Sequence, residues 1–376
     1  MNSFFQNVFN FRKNVNIKKI NDIIENYLRA ILLSKGKKNC SSMAQEVDLK
    51  HDKLYKFLEN ASVTYPLLQK ILFAIVLLVS RMFKGDLLID DTSAPKPYAK
   101  KIENLGYERN GSLKLVVKSL TYVVAVWSNG VISIPFACLP WVRKKECKGV
   151  YKKKSELAIE IITKIVQEKI KFNFLLMDGA YSGNNTLSFL ESIDIKYILR
   201  IPKSRTIQAN GIIGQLQNHP NLKLNKNKRY KTIAAISYGT LRYFTVHKRK
   251  KAKTSKSNEK YETVYYVSNV ELNPEEYIER YSMRWGEEML FRTDKQYLGL
   301  GQCQALSAEK QLAHLYASFL SYTLLSFEKN FRQAKCVENI IHGIRSNRNP
   351  LEFNGFEHFI KQTQDLVLKF ANQSCE

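Results

Sequence analysis

In the segment Tyr281-Ser-Met-Arg284-Trp-Gly-Glu-Glu288-Met-Leu-Phe-Arg-Thr-Asp-Lys295, polar side chains recur at i, i+3, i+7 and i+14. At about 100° per helical residue, Tyr281, Arg284, Glu288 and Lys295 fall within an arc of about 60°. One helix edge then presents a phenol, two cations and a carboxylate, while Met283 and Leu290 supply apolar packing on the other side. A carboxylate held between cations on a rigid helix suits a metal ion and a phosphate together. The competing reading is a solvated face on which Arg284 and Glu288 pair at i,i+4, worth about 0.2–0.5 kcal/mol.

Two more acids stand where an apolar run stops: Asp86-Leu-Leu-Ile-Asp90-Asp91 and Phe174-Leu-Leu-Met-Asp178. A lone acid at a strand end is commonly structural. Two such acids followed by Glu288 on a later helix, in a strongly basic chain, are harder to dismiss. Carboxylate oxygens suit Mg²⁺ or Mn²⁺. Two such ions, about 3.5–4 Å apart, activate water and stabilise the leaving oxygen of an in-line attack on a phosphodiester. Asp91 beside Asp90 leaves the first ligand open between them. The six histidines form no His-Glu-x-x-His, and the six cysteines, at 40, 138, 147, 303, 336 and 375, form no Cys-x-x-Cys. Any metal here has oxygen ligands, and the scattered thiols fit a reducing cytoplasm.

These groups must be positioned by an alternating set of elements. Residues 1–85 read as helical, with Ser41 to Val47 and His51 to Leu58 as two short helices about a turn. A helix-turn-helix there would put Lys53 and Lys56 near the start of a recognition helix; an ordinary helical bundle is the other reading. From Asp86 the pattern turns to strands, with Ser128-Asn129-Gly130 as a hairpin turn. A helix over Ser155 to Lys169, the strand ending at Asp178, a helix over Asn184 to Ser192 and a strand over Lys196 to Ile201 make a β-α-β unit, hence a parallel sheet. Residues 203–272 break the alternation as a β-rich insertion carrying a basic tip, Lys248-Arg249-Lys250-Lys251 to Lys260. A single helix then runs from Pro274 to Gly299, and the remainder is helical. The expected division is 1–85 as a helical DNA-binding region, 86–202 and 273–330 as two parts of one catalytic core, 203–272 as the insertion and 331–376 as a helical C-terminal region.

Composition narrows the partner. With 59 Lys+Arg against 34 Asp+Glu the formal net charge is +25, and 44% hydrophobic and 11% aromatic residues supply buried cores. Such a surplus points to a polyanion, nucleic acid first. The apolar run Ile71 to Val79 is short of the roughly 20 residues that span a bilayer and reads as a buried helix. The N-terminal residues lack the charged start and apolar core of a signal peptide.

Asp90-Asp91-Thr92, Met177-Asp178-Gly179-Ala-Tyr181 and the Tyr281/Arg284/Glu288/Lys295 helix together resemble the DDE transposases of bacterial insertion sequences. The resemblance is greatest to the insertion-sequence-four group, with its Tyr-x2-Arg-x3-Glu-x6-Lys signature. Leu298-Gly-Leu-Gly and Lys152-Lys-Lys-Ser-Glu-Leu-Ala fit the same family, and the likeness covers residues 86 to 330. It implies an α/β, RNase H-like core in which Asp90, Asp178 and Glu288 bind two Mg²⁺ (or Mn²⁺) ions and do the catalysis. It implies that Tyr281, Arg284 and Lys295 hold phosphates of the transposon end, with Trp285 stacked on a displaced base and Arg292 nearby. Lys248, Arg249, Lys250, Lys251, Lys53 and Lys56 are further candidate DNA contacts. The implied activity is cleavage at the inverted-repeat ends of an insertion sequence and strand transfer into target DNA, by a homodimer in the synaptic complex, in the bacterial cytoplasm and without a membrane. The alternatives are an RNase H-like metal-dependent nuclease without transposition, and an inactive transposase-derived repressor.

Overall fold

A computed structural model describes residues 15–110, 115–147, 149–225, 228–250, 261–346, 351 and 354–362. Four helices come first: α1 (Val15–Leu33), α2 (Cys40–Glu46), α3 (His51–Glu59) and α4 (Ala61–Met82). Asn39 starts α2 by accepting a hydrogen bond from the Ser42 amide at 2.9 Å, and the turn to α3 passes through Asp48 in the left-handed region at φ +50°. Helix α3 buries Leu54, Phe57 and Leu58 and leaves Lys53 and Lys56 exposed. The apolar run Ile71 to Val79 is the middle of a longer helix than expected. Helix α4 has 22 residues and mean hydropathy reaching 1.9, enough by length and composition to cross a membrane. In the fold it packs on strand β4 (Ser133–Trp141) and on the long helix of the C-terminal part.

The central strands are β1 (Asp86–Pro95), β2 (Gly106–Asn110), β3 (Leu115–Ser128), β4, β5 (Leu175–Met177) and β6 (Tyr197–Ile201). Helix α5 (Lys154–Gln167) lies between β4 and β5, and α6 (Asn184–Ser192) between β5 and β6. Five of the strands run side by side in the order β4-β3-β1-β5-β6. β1 is antiparallel to β3 and parallel to β5, β5 is parallel to β6, and β4 is antiparallel to β3, so β3 alone opposes the other four. This is the expected RNase H-like core. The short parallel strands Leu-Leu-Met and Tyr-Ile-Leu-Arg-Ile are almost wholly buried, as strands covered on both faces must be. The β3–β4 hairpin turns at Gly130, at φ +84°, and Asn129 Oδ1 accepts from the amides of Val131 and Ile132 at 3.0 and 2.8 Å.

The stretch expected as a β-rich insertion forms five strands: β7 (Thr206–Ala209), β8 (Ile212–Gln215), β9 (Tyr230–Ser237), β10 (Thr240–Lys250) and β11 (Tyr261–Ser268). They extend the same sheet beyond β6, in the order β6-β11-β10-β9-β7-β8, with Val267 opposite Leu199. Arg242 on β10 is fully buried and clasps Glu191 of α6 at 2.7 and 2.9 Å, and the Tyr197 hydroxyl donates to the same carboxylate at 2.7 Å. That network ties the extension to the core. Lys251, with the rest of the basic tip to Lys260, lies outside the described residues.

The helix expected over Pro274 to Gly299 is interrupted. It comprises α7 (Pro274–Ser282), α8 (Trp285–Thr293) and a π-helical turn, Asp294–Leu298. At the break the amides of Arg284, Gly286 and Glu287 bond to the carbonyls three residues back, at 3.1, 2.9 and 3.0 Å, which tightens the turn. Gly286, a poor helix former, sits in it. The π turn closes at Gly299, at φ +99°. The four signature side chains therefore do not lie on one straight stripe. Behind them α9 (Ala308–Phe331) fills the core, and Ser318 donates to the buried Asp294 carboxylate at 3.0 Å, fastening the π turn to α9. Helix α10 (Val337–Arg345) returns to the start of the chain: Arg345 donates to the Leu32 carbonyl at the end of α1 and to the Tyr297 carbonyl, at 3.0 and 2.8 Å.

Candidate metal and nucleic-acid site

Parallel pairing sets Ile89 beside Met177, which places Asp90 next to Asp178, the residue that follows β5; the strand expected to stop at Asp90 instead runs on to Pro95, so Asp90 lies midway along β1. Ligand chemistry in open parallel sheets collects at carboxyl ends such as that of β5. Helix α8 packs on β1 and β4 and brings Glu288 to the same place. The link is Arg284. Its Nη1 donates to Asp90 Oδ2 at 2.5 Å and its Nη2 to Glu288 Oε1 at 2.5 Å. Burial, helped by the neighbouring Asp91 and Asp178, pushes the Asp90 carboxyl up to about 7 against the opposing pull of Arg284. Burial also pulls on Arg284, but Tyr281, Asp90 and Glu288 outweigh it and hold the guanidinium charged. Tyr281 is buried, with its ring 4.8 Å from that of Tyr266, and its hydroxyl has no hydrogen-bond partner among the described residues. Burial, reinforced by the Asp178 charge, raises that hydroxyl's pKa.

Asp91 points elsewhere, as adjacent strand residues do. It accepts from Lys154 Nζ at 2.8 Å and from the Tyr181 hydroxyl at 3.3 Å, and Lys154 rests 4.5 Å from the Trp141 ring. Burial lowers the Lys295 pKa, while Asp294 and, less, Asp91 favour its charged form. The site thus has two groups, Asp90 and Glu288 around Arg284, and Asp91 with Lys154 and Tyr181.

The other expected DNA contacts are surface groups. Trp285 is 64% exposed at the start of α8, and Arg292 is exposed further along it. Lys248, Arg249 and Lys250 are exposed at the end of β10, with Arg249 paired to Glu262 at 2.5 Å and Lys248 5.5 Å from the Tyr261 ring. Among the described residues no hydrogen bond or ion pair joins these, or Lys53 and Lys56, to the carboxylates. Lys154 and Tyr181 were visible in the sequence only inside the motifs Lys152-Lys-Lys-Ser-Glu-Leu-Ala and Met177-Asp178-Gly179-Ala-Tyr181, with no role attached to either. Arg200, which lines a cavity of about 230 Å³ together with Asp178 and Lys203, carried no clear signal, because nothing in the order of residues says which strand end lies beside which. Glu287 was missed as well: it is 1% exposed and neither carboxylate oxygen has a partner among the described residues.

The donor set fits a hard divalent cation: all oxygen, crowded, and neutralised by a guanidinium. Among the described residues, no three acid, histidine or cysteine side chains stand close enough to share one ion as placed. Arg284 stands between Asp90 and Glu288.

Comparison with known proteins is consistent with this geometry. The family described as DDE superfamily endonuclease matches residues 10–213, more than half of the chain. The chain belongs to the DDE superfamily of endonucleases. The family described as Transposase DDE domain matches residues 152–324. A probable transposase for insertion sequence element IS701, from Microchaete diplosiphon, is 26% identical over 247 residues, which are 59% of this chain and 61% of that protein. The chain thus spans about three-fifths of the length of the relative it matches. These matches bear out the resemblance to insertion-sequence DDE transposases, and superfamily nucleases generally use divalent metal ions. The insertion-sequence-four assignment still rests on the helix signature alone.

Proposed function

We propose that this DDE endonuclease is an active transposase of the insertion-sequence-four group, which cuts at the inverted-repeat ends of its element and joins them to target DNA. The observation that carries the reading is the Arg284 guanidinium spanning Asp90 and Glu288, with Asp178 following the strand that pairs with that of Asp90. Asp90, Asp178 and Glu288 are the metal ligands and catalytic carboxylates; Asp91, engaged by Lys154 and Tyr181, is the less suited neighbour. Two Mg²⁺ or Mn²⁺ ions bound there supply activation of the attacking water or 3′-hydroxyl and stabilisation of the leaving oxygen.

The chain's own residues do the rest. Arg284 exchanges the carboxylates for a phosphate of the DNA end, to which its planar fork is matched. Tyr281, whose buried hydroxyl has no partner among the described residues, and the half-buried Lys295 are the further phosphate contacts. Trp285, exposed beside them, stacks on a base. Arg292, Lys248, Arg249, Lys250 and Lys251, together with Lys53 and Lys56 on α3, extend the contact along the duplex by charge. Residues 1–85 act as the DNA-binding region and 86–202 with 273–330 as the catalytic core. Two copies hold two element ends, in the bacterial cytoplasm.

The test is cleavage and joining in Mg²⁺ of DNA ending in the element's own terminal repeat, beside DNA of unrelated sequence. Cuts at the repeat end followed by joined products support the reading. Equal nicking of both DNAs with no joining points to a general nuclease on the same fold.

A further inference from the structure

Glu287 and Glu288 are consecutive on α8 and turn opposite ways. The Glu288 side chain is 42% exposed, whereas Glu287 is 1% exposed and neither of its oxygens has a hydrogen-bond partner among the described residues. Buried carboxylates without partners are rare in folded proteins, and one that persists calls for a specific cause such as an ion. The surroundings name that cause. Burial holds the Glu287 carboxyl well above the usual carboxylate range, and the charges of Asp90, Glu288 and Asp91 push the same way against Arg284, the crowding that a divalent cation would relieve. The Glu287 charge in turn helps to raise the pKa of Tyr181, which burial raises most and which donates to Asp91. Arg284 is already taken by Asp90 and Glu288, and Lys154 by Asp91, so the described residues hold no cation for Glu287. Its orientation comes from the tightened turn, where the Glu287 amide bonds back to the Arg284 carbonyl at 3.0 Å.

We propose that Glu287 is a further carboxylate ligand of the divalent-cation site, reaching the ion from the buried side of α8 while Glu288 reaches it from the open side. The proposal rests on the reading of Asp90, Asp178 and Glu288 as metal ligands. It goes beyond the helix signature, which leaves the position before the glutamate unspecified. An extra oxygen donor suits Mg²⁺ or Mn²⁺, which take six oxygens in an octahedron.

Mn²⁺ binding to the full chain without DNA, read from the electron paramagnetic resonance signal of the free ion, tests this. Glu287→Gln and Glu287→Leu are compared with wild type, Asp178→Asn and Glu288→Gln, and thermal melting in chelator shows which variants are folded. Both Glu287 variants should bind Mn²⁺ about 10-fold or more weakly, since even outer partners of metal sites carry that much. Glu287→Leu should melt no lower than wild type in chelator, and should lose most of the Mn²⁺-induced rise in melting temperature. Folded Glu287 variants that bind Mn²⁺ like wild type, while Glu288→Gln and Asp178→Asn do not, would overturn the proposal and leave the metal centre standing. Unchanged binding in all four would remove the metal centre itself. If Glu287→Leu does not fold, Glu287→Gln, close in size to the native side chain, decides alone.

Discussion

The guanidinium of Arg284 lies 2.5 Å from the carboxylate of Asp90, a residue 194 positions earlier in the chain. The contact joins the middle of a central strand to the break between α7 and α8. The same guanidinium holds Glu288 at 2.5 Å, so one cation keeps two of the three candidate metal ligands in place. What reads in isolation as an i,i+4 surface pair is a three-group cluster with a largely buried centre.

Replacing Arg284 by Ala should therefore destabilise the metal-free chain by about 1–3 kcal/mol, the range for losing charge-assisted hydrogen bonds at a partly buried site. Mn²⁺ should restore most of the loss, because a divalent ion supplies the missing positive charge. Urea unfolding in chelator and in Mn²⁺ measures both. Binding of terminal-repeat DNA should suffer more than folding does. A larger stability loss with intact end binding would make the residue purely structural.

Gly299 ends the π turn that carries Lys295. Its φ is +99°, and an added Cβ would sit 2.4 Å from the Lys38 Cβ and 2.7 Å from its Cγ. Gly299→Ala should cost about 2–4 kcal/mol, combining left-handed backbone strain with overpacking. A urea midpoint equal to wild type would show that the turn relaxes without strain.

Below that turn His314 is buried. Its Nε2 donates to the Gly299 carbonyl at 2.8 Å, and its Nδ1 accepts from the Tyr27 hydroxyl at 2.8 Å. Burial, with Lys96 and Lys38 nearby, lowers its pKa from 6.5 to about 4. Between those values the unfolded chain binds a proton that the folded one refuses. The His314 contribution is therefore complete above about pH 6.5 and is lost as pH falls toward 4. The buried Asp294, raised to about 7, and Asp86, raised to about 6, act in the opposite sense over overlapping ranges. The difference between wild type and His314→Gln isolates the histidine: wild-type stability should fall more steeply than the variant's between pH 6.5 and 4. Parallel curves would mean that His314 is protonated in the folded chain.

Much of the architecture was legible because burial writes itself into short strands. Leu-Leu-Ile-Asp90 and Leu-Leu-Met-Asp178 are apolar runs that stop at an acid, and their order with the two helices fixes a parallel pair. The helix signature was legible through its spacing. The break at Arg284 was not, because a single Gly286 is a weak signal and the turn is held by Asp90 from another element. For the same reason the inward turn of Glu287 was invisible. The union of β11 with β6 also escaped: strands 206–268 declare themselves by composition, but nothing local says whether they form their own sheet or extend another. Lys154 shows the same limit, since its partner Asp91 and the Trp141 ring meet it only in the folded chain.

The central claim is that Asp90, Asp178 and Glu288 form one metal-dependent catalytic site. The direct test is Mg²⁺-dependent cleavage of DNA carrying the element's terminal repeat by wild type, Asp178→Ala and Glu288→Ala, each shown to be folded. The expected result is a rate lower by about 100-fold or more in both variants, matching several kcal/mol of lost transition-state stabilisation. Cleavage by either variant at the wild-type rate would contradict it.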